Sequence, residues 1–212
     1  MSDDGIASPP TRRPTKSPDP DTRLTDDELW DESVRPVGPP PPSGHEYSQN
    51  GIAVGSHLID VHDHLRLELT HLLEVIRRVQ EGEVSAGEAR GTLSELTMRQ
   101  HDWRIGAYCA SYCRVVTTHH GIEDAAIFPH LRNSDPQLAP VVDRLQQEHE
   151  VIHGILDQVD QHLVAHKNDD GDFDDLARAV SLLSDALISH LAYEEQQLVE
   201  PLARFGFYPG QV

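Results

Sequence analysis

The stretches HHGIEDAAIFPHL (residues 119–131) and HLAYEEQQLVEPL (residues 190–202) share one pattern. Each begins with a histidine, has two adjacent acids four and five residues later, and continues with an apolar residue and then a proline. A proline ends or kinks a helix, so each stretch is typical of the last turns of a helix. Residues four apart lie on one face of a helix, so each helix presents a histidine and a carboxylate on the same side. We expect the two pairs to meet at a common level of a helical bundle.

Leucine, alanine, valine and glutamate at helical spacing dominate the chain from about residue 56 onwards. This pattern predicts a first helix that is capped by Ser56 and a last helix that is capped by Asp172 or Asp174. Strands are not expected, because no stretch alternates polar and apolar residues for long. The predicted helices are four long ones, over about 56–80, 102–132, 140–166 and 174–204, and a short one over about 86–98.

Four long helices with short connections predict an all-α fold, an antiparallel up-down four-helix bundle. The bundle domain is expected to cover residues 56–205, followed by a short C-terminal tail at 206–212. Residues 1–55 differ in character, because ten of the fifteen prolines fall in the first 50 residues and apolar side chains are sparse there. Such a segment cannot bury enough apolar surface to offset its chain entropy. We therefore predict a disordered, proline-rich acidic tail over 1–55, with residues 1–50 dispensable for the fold.

Charge and composition exclude several functional classes. The formal net charge is −19 and the only lysines are Lys16 and Lys167, so no basic face exists that could bind a phosphate backbone. No apolar stretch approaches the roughly 20 residues that span a bilayer, and the N-terminus lacks the features of a secretory signal. Two cysteines do not make a disulfide framework. We expect a cytoplasmic protein without nucleic-acid or membrane partners.

The core-facing positions of the predicted helices include histidine and glutamate. Core positions in a bundle recur at alternating steps of three and four, and the stripes found this way are apolar except in one short segment of each helix. Two unpaired carboxylates buried there would be costly, and no lysine is available to compensate them, so we predict bound metal ions. The inward polar residues are His62, His119, Glu123, His149, His153, His190 and Glu194.

The donor atoms favour iron or manganese over zinc. A structural zinc site takes four ligands and is usually rich in cysteine, so seven nitrogen and oxygen donors are too many for it. Imidazole with carboxylate suits iron or manganese, and two carboxylates can bridge two ions. If both carboxylates bridge, the five histidines divide three and two. One ion then keeps an open coordination position, where a small molecule can bind.

The order of these elements resembles the hemerythrin-like, or HHE cation-binding, family. A histidine on the first helix is followed by HxxxE at 119–123, HxxxH at 149–153 and HxxxE at 190–194, and the surrounding HDHLR, HHxxEDxxIFP, EHxxxH and HLxxEExxLxxP are similar to that family as well. The resemblance covers about residues 56–205. It implies a four-helix bundle that holds a non-haem diiron centre, two iron ions with oxo and carboxylate bridges. The five inward histidines are the implied iron ligands, and Glu123 and Glu194 are the implied bridges.

Two features depart from the family pattern. In oxygen-carrying members the last carboxylate is an aspartate five residues after its histidine, whereas here both Glu194 and Glu195 are acids and helical phase favours Glu194. His120 follows His119 where many members have a bulky residue. The residues that we expect around the ligands are Arg66, Tyr112, His120, Asp124, Tyr193 and Glu195.

The resemblance leaves three functional classes open. The first is a protein that binds or senses a diatomic ligand, oxygen or nitric oxide, at the open iron position. The second is a diiron enzyme, an oxidoreductase that acts on peroxide, nitric oxide or oxygen, and it would need a separate electron donor for a reductase activity. The third is an iron-handling or structural metal-binding bundle. We favour binding or sensing, and we assign no catalytic residue and no protein partner.

Overall fold

The computed structural model describes residues 14–16, 22–81, 102–167 and 172–207, with side chains on the second helix from Cys109 onwards. These residues form an all-helical protein with no strand among them. No helix in this part of the chain is long and apolar enough to cross a membrane. The predicted short helix over 86–98 and most of the predicted C-terminal tail lie outside the described residues.

The described residues form five α-helices, and two of them are joined by a π-helical turn at Glu123–Ile127. Short 3-10 turns occur at Glu32–Val34 and Pro136–Leu138. The helices are α1 (Gln49–Gln80), α2 (Asp102–Ile122), α3 (Phe128–Ser134), α4 (Ala139–Lys167) and α5 (Phe173–Phe205).

The helix ends agree with the predictions except at the start of α1. The predicted cap Ser56 lies inside this helix, because the Ser48 hydroxyl accepts a hydrogen bond from the Gly51 amide at 2.9 Å and caps the helix earlier. The Asp172 carboxylate accepts a hydrogen bond from the Asp174 amide at 3.1 Å, so Asp172 rather than Asp174 caps α5.

The predicted second helix runs through the π-helical turn before it continues as α3. The Phe128 amide reaches back five residues and bonds the Glu123 carbonyl, which widens the turn. Such turns occur frequently at functional sites of helices. Glu123, one of the predicted inward carboxylates, is the first residue of this turn.

The four long helices form a ring of contacts, in which α1 packs on α5 and α2, and α4 packs on the same two helices. Two apolar clusters fill the interior. The first includes Leu69, Val116, Val159 and Leu183, and the second includes Leu58, Phe128, Leu145 and Leu198. Along α1, α4 and α5 the inward histidines lie between the members of these two clusters. The level of the bundle that holds these histidines, here called the polar level, therefore has an apolar layer on each side.

The N-terminal segment, by which we mean residues 14–16 and 22–48, lies against the bundle. The Gly38 amide donates a hydrogen bond to the Gln197 side chain at 2.8 Å, and the Tyr47 hydroxyl donates one to Glu200 at 2.7 Å. The predicted disorder of residues 1–55 is therefore wrong for residues 22–55. The reason is that this segment builds no core of its own and instead bonds polar side chains of α5.

Close contact between α1 and α5 depends on a glycine. A Cβ atom added to Gly55 would lie 2.5 Å from the Val199 carbonyl oxygen and 3.2 Å from the Ala203 Cβ. Gly154 on α4 is also helical, but a Cβ added there would meet nothing within 4 Å. The two positions therefore share the helical conformation and differ in the space beside them.

We predict opposite effects of alanine at these two positions. Gly154→Ala should raise the free energy of unfolding by about 0.5–1 kcal/mol, because alanine is the better helix former. Gly55→Ala has the same advantage in helix propensity, but the added methyl group forces α1 and α5 apart. We therefore expect the free energy of unfolding to fall by about 1–2 kcal/mol. Urea unfolding followed by circular dichroism measures both. Equal stability of the two variants would contradict the close packing of α1 on α5.

Candidate metal centre

In the part of the chain that the structure describes, seven side chains at the polar level form two adjacent groups, and within each group the potential ligand atoms lie within 4.8 Å of one another. All but one of the seven are fully buried, and the exception, His119, has a side chain that is 12% exposed. The first group is His62, His119, Glu123 and Glu194, and the second group is His120, His149 and His190.

The two carboxylates lie between the groups. One Glu123 oxygen is 3.1 Å from His119 Nε2, and the other is 3.6 Å from His149 Nε2 in the second group. Glu194 Oε2 lies 3.6 Å from the Nε2 atoms of both His62 and His190. Each carboxylate therefore faces imidazoles of both groups, which is the placement that a bridge between two ions requires.

Imidazole nitrogens face one another within each group. His62 Nε2 lies 3.2 Å from His119 Nε2, and His149 Nε2 lies 3.2 Å from His190 Nε2. Burial and the neighbouring imidazoles of His62 and His149 lower the pKa of His119 to about 3. Burial, followed by the charge of neighbouring groups, also holds the pKa of His190 well below its ordinary value. Both rings are therefore neutral near pH 7, and the neutral ring is the form that binds a metal.

Glu123 and Glu194 have no compensating partner among the described residues. Both are fully buried, and none of their four carboxylate oxygens accepts a hydrogen bond. Burial and the proximity of Glu194 raise the pKa of Glu123 well above its ordinary value. Two such carboxylates are costly to bury unless a cation lies between them. The neutral imidazoles of His119 and His190 supply lone pairs but no charge, so this donor set fits metal ions.

Three of the histidines are fixed from outside by carboxylates. An ionised carboxylate accepts hydrogen bonds but donates none, so each of these rings donates from Nδ1 and turns its Nε2 atom towards the centre. Metal-binding histidines are held in this way, with a carboxylate or a carbonyl on the second nitrogen. The contacts are His62 Nδ1 to Glu195 Oε1 at 3.0 Å, His149 Nδ1 to Asp124 Oδ1 at 3.0 Å, and His190 Nδ1 to Glu148 Oε2 at 3.2 Å.

Glu195 differs from its neighbour Glu194 in having partners. It contacts His62, and Arg66 NH1 lies 2.7 Å from its Oε1 atom. Burial alone would raise the pKa of this carboxyl, but hydrogen bonds from His62, Thr15 and Arg66 lower the pKa to about 2. Glu195 is thus an ionised carboxylate whose charge is compensated by its partners, and it lies outside the two groups. Glu194 has no such compensation and faces into the centre.

The structure brings His120, and not His153, into the second group. His120 is fully buried, and its ring stacks on the His149 ring with 3.9 Å between the centroids. His153, a predicted ligand, is half-buried, and its Nε2 atom lies 3.3 Å from His120 Nδ1. His120 is one residue off the core stripe, so helical periodicity does not predict it as a ligand. The adjacent pair His119–His120 was the available signal.

Two of the residues that were predicted around the ligands donate their hydroxyl groups to the backbone and not to a ligand. Two further residues around the ligands were not predicted. The Tyr112 and Tyr193 hydroxyl groups donate to the carbonyls of Leu65 and Pro36, at 3.1 and 2.7 Å. The missed residues are Glu148 and Arg35. Glu148 could have been found as an acid within the buried stripe 141, 145, 148, 152 of α4, whereas Arg35 gave no signal because it lies in the segment that was expected to be disordered.

Among the described residues, a cleft of about 940 Å³ lies between α1 and α2 and reaches His119 and Glu123. Its walls are mainly apolar. Polar residues that line it include Asp60 and Arg114. The apolar lining residues are Ala53, Val54, Leu58, Val61, Val115, Ile122, Ile127, Leu202 and Phe207. The cleft gives a small molecule room to approach the first group.

One comparison with known proteins found a similarity. A family model described as the hemerythrin HHE cation binding domain matches residues 53–202. This range contains all seven residues of the two groups and the outer carboxylates Asp124, Glu148 and Glu195. A search of curated proteins and a search of solved structures each found no match.

We predict that glutamine at positions 194 and 195 shifts stability in opposite directions. In metal-free protein, Glu194→Gln should raise the free energy of unfolding by about 1–3 kcal/mol, because it removes an uncompensated buried charge. Glu195→Gln should lower it, because Arg66 and His62 lose a charged partner. Urea unfolding after chelation of metal tests this.

We expect the variant that is more stable without metal to retain less metal than the other variant. Glu194→Gln removes an inward donor and should lose metal, while Glu195→Gln should keep most of it. Equal metal loss in both variants would mean that the two acids share the role. A metal-free Glu194→Gln protein that is as destabilised as Glu195→Gln would contradict the uncompensated state of Glu194.

Proposed function

The chain belongs to the hemerythrin HHE cation-binding domain family, and we propose that it is a non-haem diiron protein that binds or senses a diatomic ligand. A metal-binding helical protein is what the family and the two groups together support. The observation that carries the proposal is the pair of buried carboxylates, which accept no hydrogen bond among the described residues and lie between two groups of imidazoles. Two shared carboxylates call for two ions rather than one.

We propose that His62 and His119 hold one ion, and that His149 and His190, with His120 as a third imidazole, hold the other. Glu123 and Glu194 are the proposed bridges, because each lies within 3.6 Å of imidazoles in both groups. Imidazole and carboxylate donors suit iron. Bound iron would supply an open coordination position and a change of oxidation state. Three carboxylates outside the centre would keep the Nε2 atoms of the histidines that they contact turned inwards. These carboxylates are Glu195, Asp124 and Glu148.

The surroundings of the centre favour reversible binding. Apolar side chains make up most of the wall of the cleft beside His119 and Glu123, and apolar clusters lie on both sides of the polar level. The neighbouring imidazoles are neutral because burial lowers the pKa of His119 and of His120. A mainly apolar approach and neutral imidazoles beside the centre suit the uptake of a small neutral molecule such as oxygen or nitric oxide.

A second candidate function is an enzyme that acts on peroxide. The contact between His120 Nδ1 and His153 Nε2 supports it, because His153 is half-buried while His120 is enclosed. This pair could carry a proton from the surface to the centre. Turnover of peroxide would need such a path, whereas reversible binding would not.

We also propose that the bundle is antiparallel and up-down. Gln80 at the end of α1 donates a hydrogen bond to Asp174 at the start of α5, at 3.4 Å. At the opposite end, Gly51 in the first turn of α1 packs on the Ala203 carbonyl near the end of α5. These two contacts support opposite chain directions for these helices.

The protein expressed with ample iron should contain about two iron atoms per chain. The reduced protein should change its visible absorption when oxygen or nitric oxide is added, and the change should reverse when the gas is removed. Elemental analysis and anaerobic optical titration measure the two. One tightly bound zinc and no iron would contradict the proposal, and steady consumption of added peroxide would favour the enzyme.

The choice between His120 and His153 can be tested with a pair of variants. Because His120 lies in the second group and His153 lies outside it, His120→Ala should lose more iron than His153→Ala. Helicity of each variant should be measured alongside, so that unfolding is not mistaken for a lost ligand. The opposite order of iron loss would make His153 the ligand, as the sequence predicted.

A further inference from the structure

Arg35, in the N-terminal segment, is enclosed between aromatic rings and a carboxylate. Its side chain is 6% exposed, and the guanidinium lies over the Tyr193 ring at 4.7 Å and over the Trp30 ring at 5.5 Å. Its Nε and NH2 atoms donate to the two oxygens of Glu148 at 2.8 and 2.9 Å. A guanidinium that binds both oxygens fixes the plane of the carboxylate as well as its position.

Glu148 passes this constraint to the metal centre. The oxygen that Arg35 NH2 holds, Oε2, is the atom that lies 3.2 Å from His190 Nδ1. His190 Nε2 in turn lies 3.2 Å from His149 Nε2, within the second group. Arg144 also donates to Glu148, but only to Oε1, at 2.7 Å. Arg35 is therefore the cation that holds the oxygen facing the histidine.

The N-terminal segment contacts the other half of the centre in a similar way. The Thr15 amide donates to Glu195 Oε2 at 2.7 Å, while Glu195 Oε1 lies 3.0 Å from His62 Nδ1. The segment thus bonds two of the three carboxylates that fix the histidines from outside. Residues 14–16 and 22–48 precede the range 53–202 that the family model matches.

We propose that Arg35 is a positioning residue of the metal centre, which acts on His190 through Glu148. The N-terminal segment then contributes to the metal site, and residues 1–50 are not dispensable for metal binding. The inference rests on the proposed function, because it requires that His190 is a metal ligand. Outer-sphere partners of this kind typically change metal affinity by about 10- to 100-fold when they are removed.

The test compares Arg35→Ala with Arg144→Ala in the full-length chain. Both substitutions remove an arginine from the same carboxylate, but only the first frees the oxygen that faces His190. Ferrous iron is added anaerobically in competition with a coloured ferrous chelator, and the visible absorption of the loaded protein is recorded. We expect Arg35→Ala to bind one of its two ions about 10- to 100-fold more weakly, with a changed spectrum. Arg144→Ala should lose less affinity than Arg35→Ala, because Arg35 still holds the Glu148 oxygen that faces His190.

Urea unfolding of the metal-free variants separates a folding defect from a site defect. If Arg35→Ala does not fold, Arg35→Lys replaces it, because lysine keeps the charge but cannot bind both oxygens. Arg35→Lys should then bind iron more weakly than the wild type. Wild-type affinity and spectrum in the folded Arg35 variant, or an equal loss in Arg144→Ala, would overturn the inference alone. A wild-type protein that binds no iron would overturn the proposed function with it.

Discussion

Two buried carboxylates that lack a counter-charge are the constraint on which the rest of this protein depends. Glu123 and Glu194 lie at the centre of the bundle, fully enclosed, with no hydrogen-bond donor on any of their oxygens among the described residues. Burial lowers the pKa of the nearby His119 and His190, so these two imidazoles do not supply the counter-charge. Such an arrangement is unfavourable in an apolar core and becomes favourable when cations lie between the acids and the imidazoles.

The remaining features serve to maintain this arrangement. Apolar clusters lie above and below the polar level, and such surroundings strengthen any interaction between a cation and its donors. Three outer carboxylates contact the Nδ1 atoms of three histidines, so that the Nε2 atoms converge. The N-terminal segment bonds two of those carboxylates from outside. The centre is therefore built in three layers: donors, the carboxylates that orient them, and the groups that fix the carboxylates.

Periodicity was sufficient to predict the helices and the polar level, because a core stripe interrupted by histidine and acid is visible in the sequence alone. It also separated Glu194 from Glu195, since the two side chains differ by about 100° in helical phase. The same rule failed for His120. Helix α2 packs on both α1 and α4, so adjacent residues can face different neighbours: His119 faces His62 and His120 faces His149. A single stripe for each helix cannot represent this.

The docking of the N-terminal segment could not be predicted, because it depends on hydrogen bonds from a proline-rich backbone to particular side chains of α5 and on one buried arginine. These contacts carry no periodic signal. The most direct test of the whole account is anomalous diffraction at the iron absorption edge from crystals of iron-loaded protein. Two peaks are expected, one among His62, His119 and the shared carboxylates, and one beside His149 and His190. A single peak, or peaks away from Glu123 and Glu194, would contradict the account.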